Sequence, residues 1–395
     1  MKKIGKYKLI ILFLAFLFTI PILTAISGDT NISTIENRTL APLPIYSKEN
    51  LFNGDYFNQW ENYISDHIIS RDSFIKSYTL LNMNVLGKHR INDIVLGSDD
   101  TLLPYYTDTL SQNLIHYYNN LPTMAESLGE LSKFVESNGG ELLFVGLPSQ
   151  SSFFRDRYIS YFSNKDSYLD ESESKLFSEL DKNEVNYINM NEIFRNDYKE
   201  DYYLKTDHHF SFKGSFKTYE EIIKKTKNDL ELNIESEIPL DKFDLVTLEN
   251  PIQGSRNRQL YYLKDIDEKL TIAYHKNEIE YEKYVNGGLD NRLYYVSEDP
   301  SVRPTYGVYM NGDFAEISID TNREELPNLL IFGDSFTNAL EPLLYYHFNE
   351  TRILDLRHYT KMNLYEYIDL HKPDMVIMVR DELNYGNLNH NGIFK

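Results

Sequence analysis

The run Leu329-Leu330-Ile331-Phe332 contains no polar side chain and stops abruptly at Gly333-Asp334-Ser335. An apolar run this short, bounded by turn residues, is the pattern of a strand covered on both faces, as in a parallel sheet. The run Leu142 to Pro148 has the same character, and further strands are expected at 353–356 and 375–379. Helical spacing of apolar residues falls between them, at 121–137, 170–181, 215–227, 337–348 and 363–371. Strands alternating with helices predict an α/β fold. In open sheets of this kind ligands sit beyond the carboxyl ends of the strands, where the sequence puts Ser335.

The rest of the chain divides around this pattern. Lys2, Lys3, Lys6 and Lys8 precede an apolar run, 9–26, interrupted by Thr19, Pro21 and Thr24. About 20 apolar residues span a bilayer, and basic residues stay on the inner side. Residues 1–28 are therefore expected to be a membrane anchor with the bulk of the chain outside. A cleaved signal peptide, with secretion, is the alternative, since Ala25 and Ser27 are small residues at cleavage spacing. Residues 29–50, with Pro42 and Pro44, read as a linker, and 51–395 as the main domain. Within it, 51–81 predicts amphipathic helices, and 229–325 predicts a β-rich insertion with turns such as Asn286-Gly287-Gly288.

A formal net charge of -20 over 395 residues repels phosphate backbones, so nucleic acid is not an expected partner. With no cysteine the chain has neither disulfides nor thiolate metal sites, which suits a Gram-positive exported protein.

Ser335 is a candidate nucleophile, because Gly333 permits a sharp turn there and the Ser335 amide can donate to a developing oxyanion. The alternative is that Ser335 only caps the following helix. Asn338, one turn on, is a second oxyanion candidate. Thr206-Asp207-His208-His209 supplies the remaining chemistry. In an extended segment, residues two apart leave on the same side, so Asp207 can orient His209 toward Ser335, while His208 points away to pack or to bind substrate. Asp207-His208-His209 also suggests a metal site, but no third ligand is evident at helical spacing, and neither metal nor cofactor is expected. Ser149, Gln150 and Ser151 follow a predicted buried strand and are candidates for lining a substrate pocket, or an ordinary polar loop.

These stretches together resemble a family. Glu36-Asn37-Arg38-Thr39-Leu40 with Pro42 and Pro44, Trp60, Asp66, Arg71-Asp72, Asp207-His208-His209, Tyr309-Met310-Asn311-Gly312-Asp313 and Gly333-Asp334-Ser335 are similar to the DHHW proteins of Gram-positive bacteria. Those are relatives of the SGNH-like proteins of alginate O-acetylation. Phe210 stands where the fourth letter of that name would be Trp. The resemblance implies an SGNH-like three-layer α/β/α fold with a central, mostly parallel sheet. It assigns Ser335 as nucleophile, His209 as base and Asp207 as the acid that orients it. It further implies acetyl transfer to, or removal from, an extracellular polysaccharide. Transfer requires a membrane-bound acyl-transfer partner as donor, because cytosolic donors are out of reach of an exported domain. A non-catalytic glycan-binding or assembly protein on the same fold is the rival reading. The 32 tyrosines include candidates for stacking on sugars.

Overall fold

The computed structural model describes residues 2–27, 30–33, 35–36 and 38–395. Met1, Gly28, Asp29 and Thr34 of the expected anchor and linker, with Asn37 of the Glu36 to Leu40 stretch, lie outside the described residues. The chain forms two compact units, Met1–Asn92 with Arg258–Lys264, and Asp93–Asn257 with Asp265–Lys395.

The first unit begins with the helix Lys2–Ile26. Its stretch Tyr7–Thr24 has a mean hydropathy of 2.2 and no buried residue. At about 1.5 Å per residue a helix of this length can cross a hydrocarbon core of roughly 30 Å. Its length and composition suit an anchor or a signal sequence equally. Helices Lys48–Asn53, Asp55–His67 and Arg71–Leu80 follow, with Trp60 packed edge-on against Tyr56 and Tyr63. The polar residues of the resemblance form a clasp here. Arg38 donates to Asp66 at 2.8 Å, and Glu36 accepts from Arg71 and Tyr261, each at 2.9 Å. The Arg38 hydrogen bond outweighs burial and holds the Asp66 carboxyl down to about 2.

The second unit is built on an eight-stranded sheet. In chain order its strands are β1 (Glu141–Leu147), β2 (Tyr187–Asn189), β3 (Glu282–Val285), β4 (Gly288–Leu289), β5 (Glu316–Asp320), β6 (Leu329–Gly333), β7 (Glu350–Leu354) and β8 (Met375–Asp381). Across the sheet they run β4-β3-β5-β7-β6-β8-β1-β2. From β7 to β2 all pairings are parallel, and β5, β3 and β4 add an antiparallel edge.

Alternation along the strands creates the layers. Leu143, Val145, Ile331, Ile377 and Val379 face one way and pack with Phe216, Tyr219, Ile222 and Ile223 of helix α3 (Phe212–Asn228). Leu142, Phe144, Leu330, Phe332, Val376 and Met378 face the other way. They meet α1 (Asp108–Ser137), α2 (Asp166–Lys182) and α4 (Leu364–His371) through Leu128, Leu131, Leu176, Leu180 and Ile368. Both faces are dry, as the polar-free runs require, and the result is an SGNH-like α/β fold with a large mixed sheet.

Two elements differ from the pattern expected from spacing. Helix α1 starts at Asp108 and not near 121, because Thr107 caps it at the Leu110 amide and Leu114 continues its buried face across Pro122. The helix expected over 337–348 is broken into a 3₁₀ turn, Thr337–Ala339, a single α turn, Glu341–Leu344, and a second 3₁₀ turn, Tyr345–His347. Pro342 has no N–H to carry a regular ladder through this segment, and three-residue bonds such as Leu340 N–H to Thr337 O take its place. In residues 229–325, Phe243–Thr247 and Thr271–His275 pair as a separate ribbon. β3, β4 and β5 belong to the main sheet.

Candidate active site

Strand β6 delivers Ser335 by coming very close to β8. Gly333 has φ +151°, and a Cβ there would stand 2.1 Å from the Val379 carbonyl oxygen. Only glycine fits both the backbone and the space. The Asp334 amide then bonds that same carbonyl at 3.2 Å, the Thr337 amide bonds Asp334 O at 3.0 Å, and Ser335 is left half-buried at the strand's end.

The histidine loop is held from several sides. Leu204 N–H donates to His209 O, and Tyr203 bridges Phe210. The Thr206 carbonyl accepts from the Arg256 amide at 3.0 Å, an approach open only because residue 254 is glycine. Asp207 is buried and accepts at Oδ2 from the Ser255 amide at 2.7 Å. Its Oδ1 lies 2.6 Å from His209 Nδ1, and His209 Nε2 lies 2.6 Å from Ser335 Oγ. Burial pushes the Asp207 carboxyl up, but the His209 and His208 rings, the His209 hydrogen bond and the Ser255 amide hold it well below the usual carboxylate range. An ionised carboxylate only accepts, so His209 Nδ1 carries the proton and Nε2 offers its lone pair to the Ser335 hydroxyl. The arrangement can take a proton from Ser335 and return it.

His208 departs from the expected position. It does not point away from the site: its ring lies 3.8 Å from that of His209, and its Nδ1 bonds Ser255 Oγ at 2.7 Å. Alternation fails because the segment is a turn closed by the Asp207 side chain and not an extended strand. Asp207, His208 and His209 offer ligand atoms within 4.8 Å of one another. A cation using the His209 nitrogens would have to break the bond to Asp207 or to Ser335.

Asn338 lies beside Ser335 in a cavity of about 10 Å³, also lined by Asp313, Glu341, Ile353 and Arg357. Its Nδ2 donates one hydrogen to Asp313 at 2.8 Å, and an amide has a second to give. Ser149, Gln150 and Ser151 are not open to a substrate. They begin a short helix, Gln150–Phe153, are almost fully buried, and bond inward. Ser149 donates to Glu382 at 2.7 Å, Ser151 pairs with Tyr106 at 2.9 Å, and Gln150 braces Leu204 O at 2.9 Å.

Three neighbours were not legible as site residues. Ser255 fixes both Asp207 and His208. Tyr306 stacks on His209 at 3.8 Å with planes 4° apart, and Phe336 closes against the same ring at 4.9 Å. Gly254 before Ser255, and the nearness of Tyr306 to the Tyr309 stretch, were the available signals.

Comparison with known proteins agrees with this architecture. Residues 94–249 match a family model described as SGNH hydrolase-like domain, acetyltransferase AlgX. The match includes Asp207 and His209 and stops short of Ser335. The chain is similar to the structure of Bacillus cereus PatB1, with 27% identity and a TM-score of 0.65 over 76% of this chain and 99% of that one. The same protein with a sulfonyl adduct aligns at 24% identity and TM-score 0.63, with the same coverage. A DHHW family protein from Eubacterium siraeum shares the fold at 16% identity and TM-score 0.56, covering 77% of this chain and 95% of that one. A search of curated proteins found no match.

Proposed function

We propose that this chain is an extracytoplasmic O-acetyltransferase that acetylates a cell-surface or secreted polysaccharide through an acetyl-Ser335 intermediate. The observation that carries the reading is the relay from Asp207 through His209 to Ser335, with both contacts at 2.6 Å. Ser335 Oγ attacks the acyl carbonyl carbon while its proton passes to His209 Nε2. Asp207 stabilises the imidazolium that forms. Collapse of the tetrahedral adduct expels the donor's leaving group, which takes the proton, and leaves acetyl-Ser335. An acceptor hydroxyl then gives its proton to His209 and attacks the ester, so that Ser335 is restored. The amide of Ser335 and the side chain of Asn338 are the oxyanion donors in this scheme.

Two further features favour transfer to a polymer. The helix Lys2–Ile26 with its lysine-rich start would keep the domain at the outer membrane face, beside a membrane-bound acyl donor. A groove of about 810 Å³, lined by Gln253, Tyr295, Arg303 and the two sequence neighbours of Tyr306, Thr305 and Gly307, is within the range of ligand clefts. The test is Ser335→Ala in the native host, with O-acetyl content measured in the isolated envelope polysaccharides. A fall supports transfer, a rise replaces it with deacetylation, and no change overturns both.

A further inference from the structure

Glu341 is the residue that the mechanism above leaves without a task. It is only 1% exposed, and neither carboxyl oxygen has a hydrogen-bond partner among the described residues. A buried orphan of this kind is costly unless something fills the space in front of it. What it faces is the cavity beside Ser335. Ser335 precedes the 3₁₀ turn Thr337–Ala339, Asn338 lies within it and Glu341 opens the α turn that follows, and all three line that cavity. At about 10 Å³ the cavity has room for roughly one oxygen-sized group. A carbonyl oxygen entering it from an acyl group on Ser335 would share the cavity with Asn338 and Glu341.

We propose that Glu341 donates a hydrogen bond, from its carboxyl O–H, to the oxyanion that forms when Ser335 attacks an acyl group. This rests on the acyl-transfer reading and names a further catalytic residue for it. As the Ser335 Oγ–carbon bond forms, the carbonyl electron pair moves onto oxygen and the Ser335 proton goes to His209. Glu341 keeps its own proton throughout, so charge and atoms balance without another reactant. The surroundings keep that proton in place. Burial pushes the Glu341 carboxyl up to about 8, reinforced by the carboxylates of Asp313 and Asp355. The nearby Thr337 hydroxyl, out of hydrogen-bond geometry, and the buried Lys283 only partly offset this. Arg357, which also lines the cavity, is already paired with Asp313 and Asp355. A neutral acid aimed at a developing oxyanion is a donor of the strength of an imidazole or amide, and in a dry site it needs no reorganisation.

The test uses the full-length protein in detergent with p-nitrophenyl acetate, across a pH range of about 6 to 9. Wild-type kcat is expected to fall as pH rises through about 8, when the donor becomes a negative charge beside the oxyanion. Glu341→Gln, which still donates but does not titrate, is expected to lower kcat modestly and to lose that alkaline fall. Glu341→Leu is expected to lower kcat on the order of 10²-fold with little change in KM. If the leucine variant does not fold, as judged by near-ultraviolet circular dichroism, the glutamine profile decides. An unchanged alkaline fall in Glu341→Gln, or wild-type kcat in a folded Glu341→Leu, overturns the assignment and leaves catalysis by Ser335 standing. Absence of wild-type turnover overturns both.

Discussion

Gly333→Ala tests whether the close approach of β6 to β8 is what positions Ser335. The added Cβ would stand 2.1 Å from the Val379 carbonyl oxygen, whereas a carbon–oxygen contact needs roughly 3.3 Å. The strands must therefore part by about 1.2 Å, or the turn must rebuild itself. Overfilling a packed site costs about 1–3 kcal/mol, and an alanine at positive φ adds about 1–2 kcal/mol. The expected loss of stability is thus roughly 2–5 kcal/mol. Ser335 is two residues away, 2.6 Å from His209. A displacement of about 1 Å would stretch that contact beyond hydrogen-bond range and cost on the order of 10²-fold in turnover. Guanidinium unfolding and p-nitrophenyl acetate turnover of the full-length protein measure the two effects. A stability change within about 0.5 kcal/mol, as for an ordinary surface substitution, with wild-type turnover, would refute the reasoning.

His209→Ala is expected to abolish esterase turnover, while His208→Ala, which removes the Ser255 Oγ partner and the ring packed on His209 but leaves the relay from Asp207 through His209 to Ser335, should leave a measurable fraction of it. Equal loss from two folded variants would place His208 in the chemistry as well. Tyr306→Leu removes the ring stacked on His209 and should lower kcat more than KM; an effect confined to KM would mean that Tyr306 holds substrate instead. Stability should also depend on pH. Burial raises Glu341 to about 8, and Asp381 and Glu382 to about 7, in each case above the unfolded value. The stability these groups contribute is complete below about pH 4 and is lost as pH rises through 7 to 8. Thermal unfolding should therefore show a falling Tm between about pH 5 and 9, with the upper part of the fall reduced in Glu341→Gln. A Tm that rises across that range would contradict the assignment of these carboxyls as buried neutral acids.

The sheet was legible because its strands needed no context. Leu142 to Leu147, Leu329 to Phe332 and Met375 to Val379 carry no polar residue, and short runs of this kind bounded by turn residues suit a strand covered on both faces. The Asp207, His209 and Ser335 stretches also carried signals of their own, an acid two residues before a histidine and a serine at a strand's end. What spacing does not encode is contact between distant segments. Ser255, at the start of the short helix Ser255–Gln259, and Tyr306, at the start of the 3₁₀ turn Tyr306–Val308, reach the histidine loop from separate segments, and nothing in their local pattern marks them as site residues. Glu341 looks like a solvent-facing helical glutamate until Pro342 breaks the helix and turns it inward. Ser149 to Ser151 show the converse, a polar loop by composition whose hydroxyls are used up inside the core.

The central claim is a covalent one, that Ser335 carries the acetyl group between donor and acceptor. The measurement that reaches it most directly is mass analysis of the full-length protein quenched during reaction with an activated acetyl ester, followed by peptide mapping. One acetyl group on the peptide containing Ser335, absent in Ser335→Ala and greatly diminished in His209→Ala, is the predicted result. An unmodified Ser335 peptide during active turnover, or an acetyl group that survives in Ser335→Ala, would contradict it.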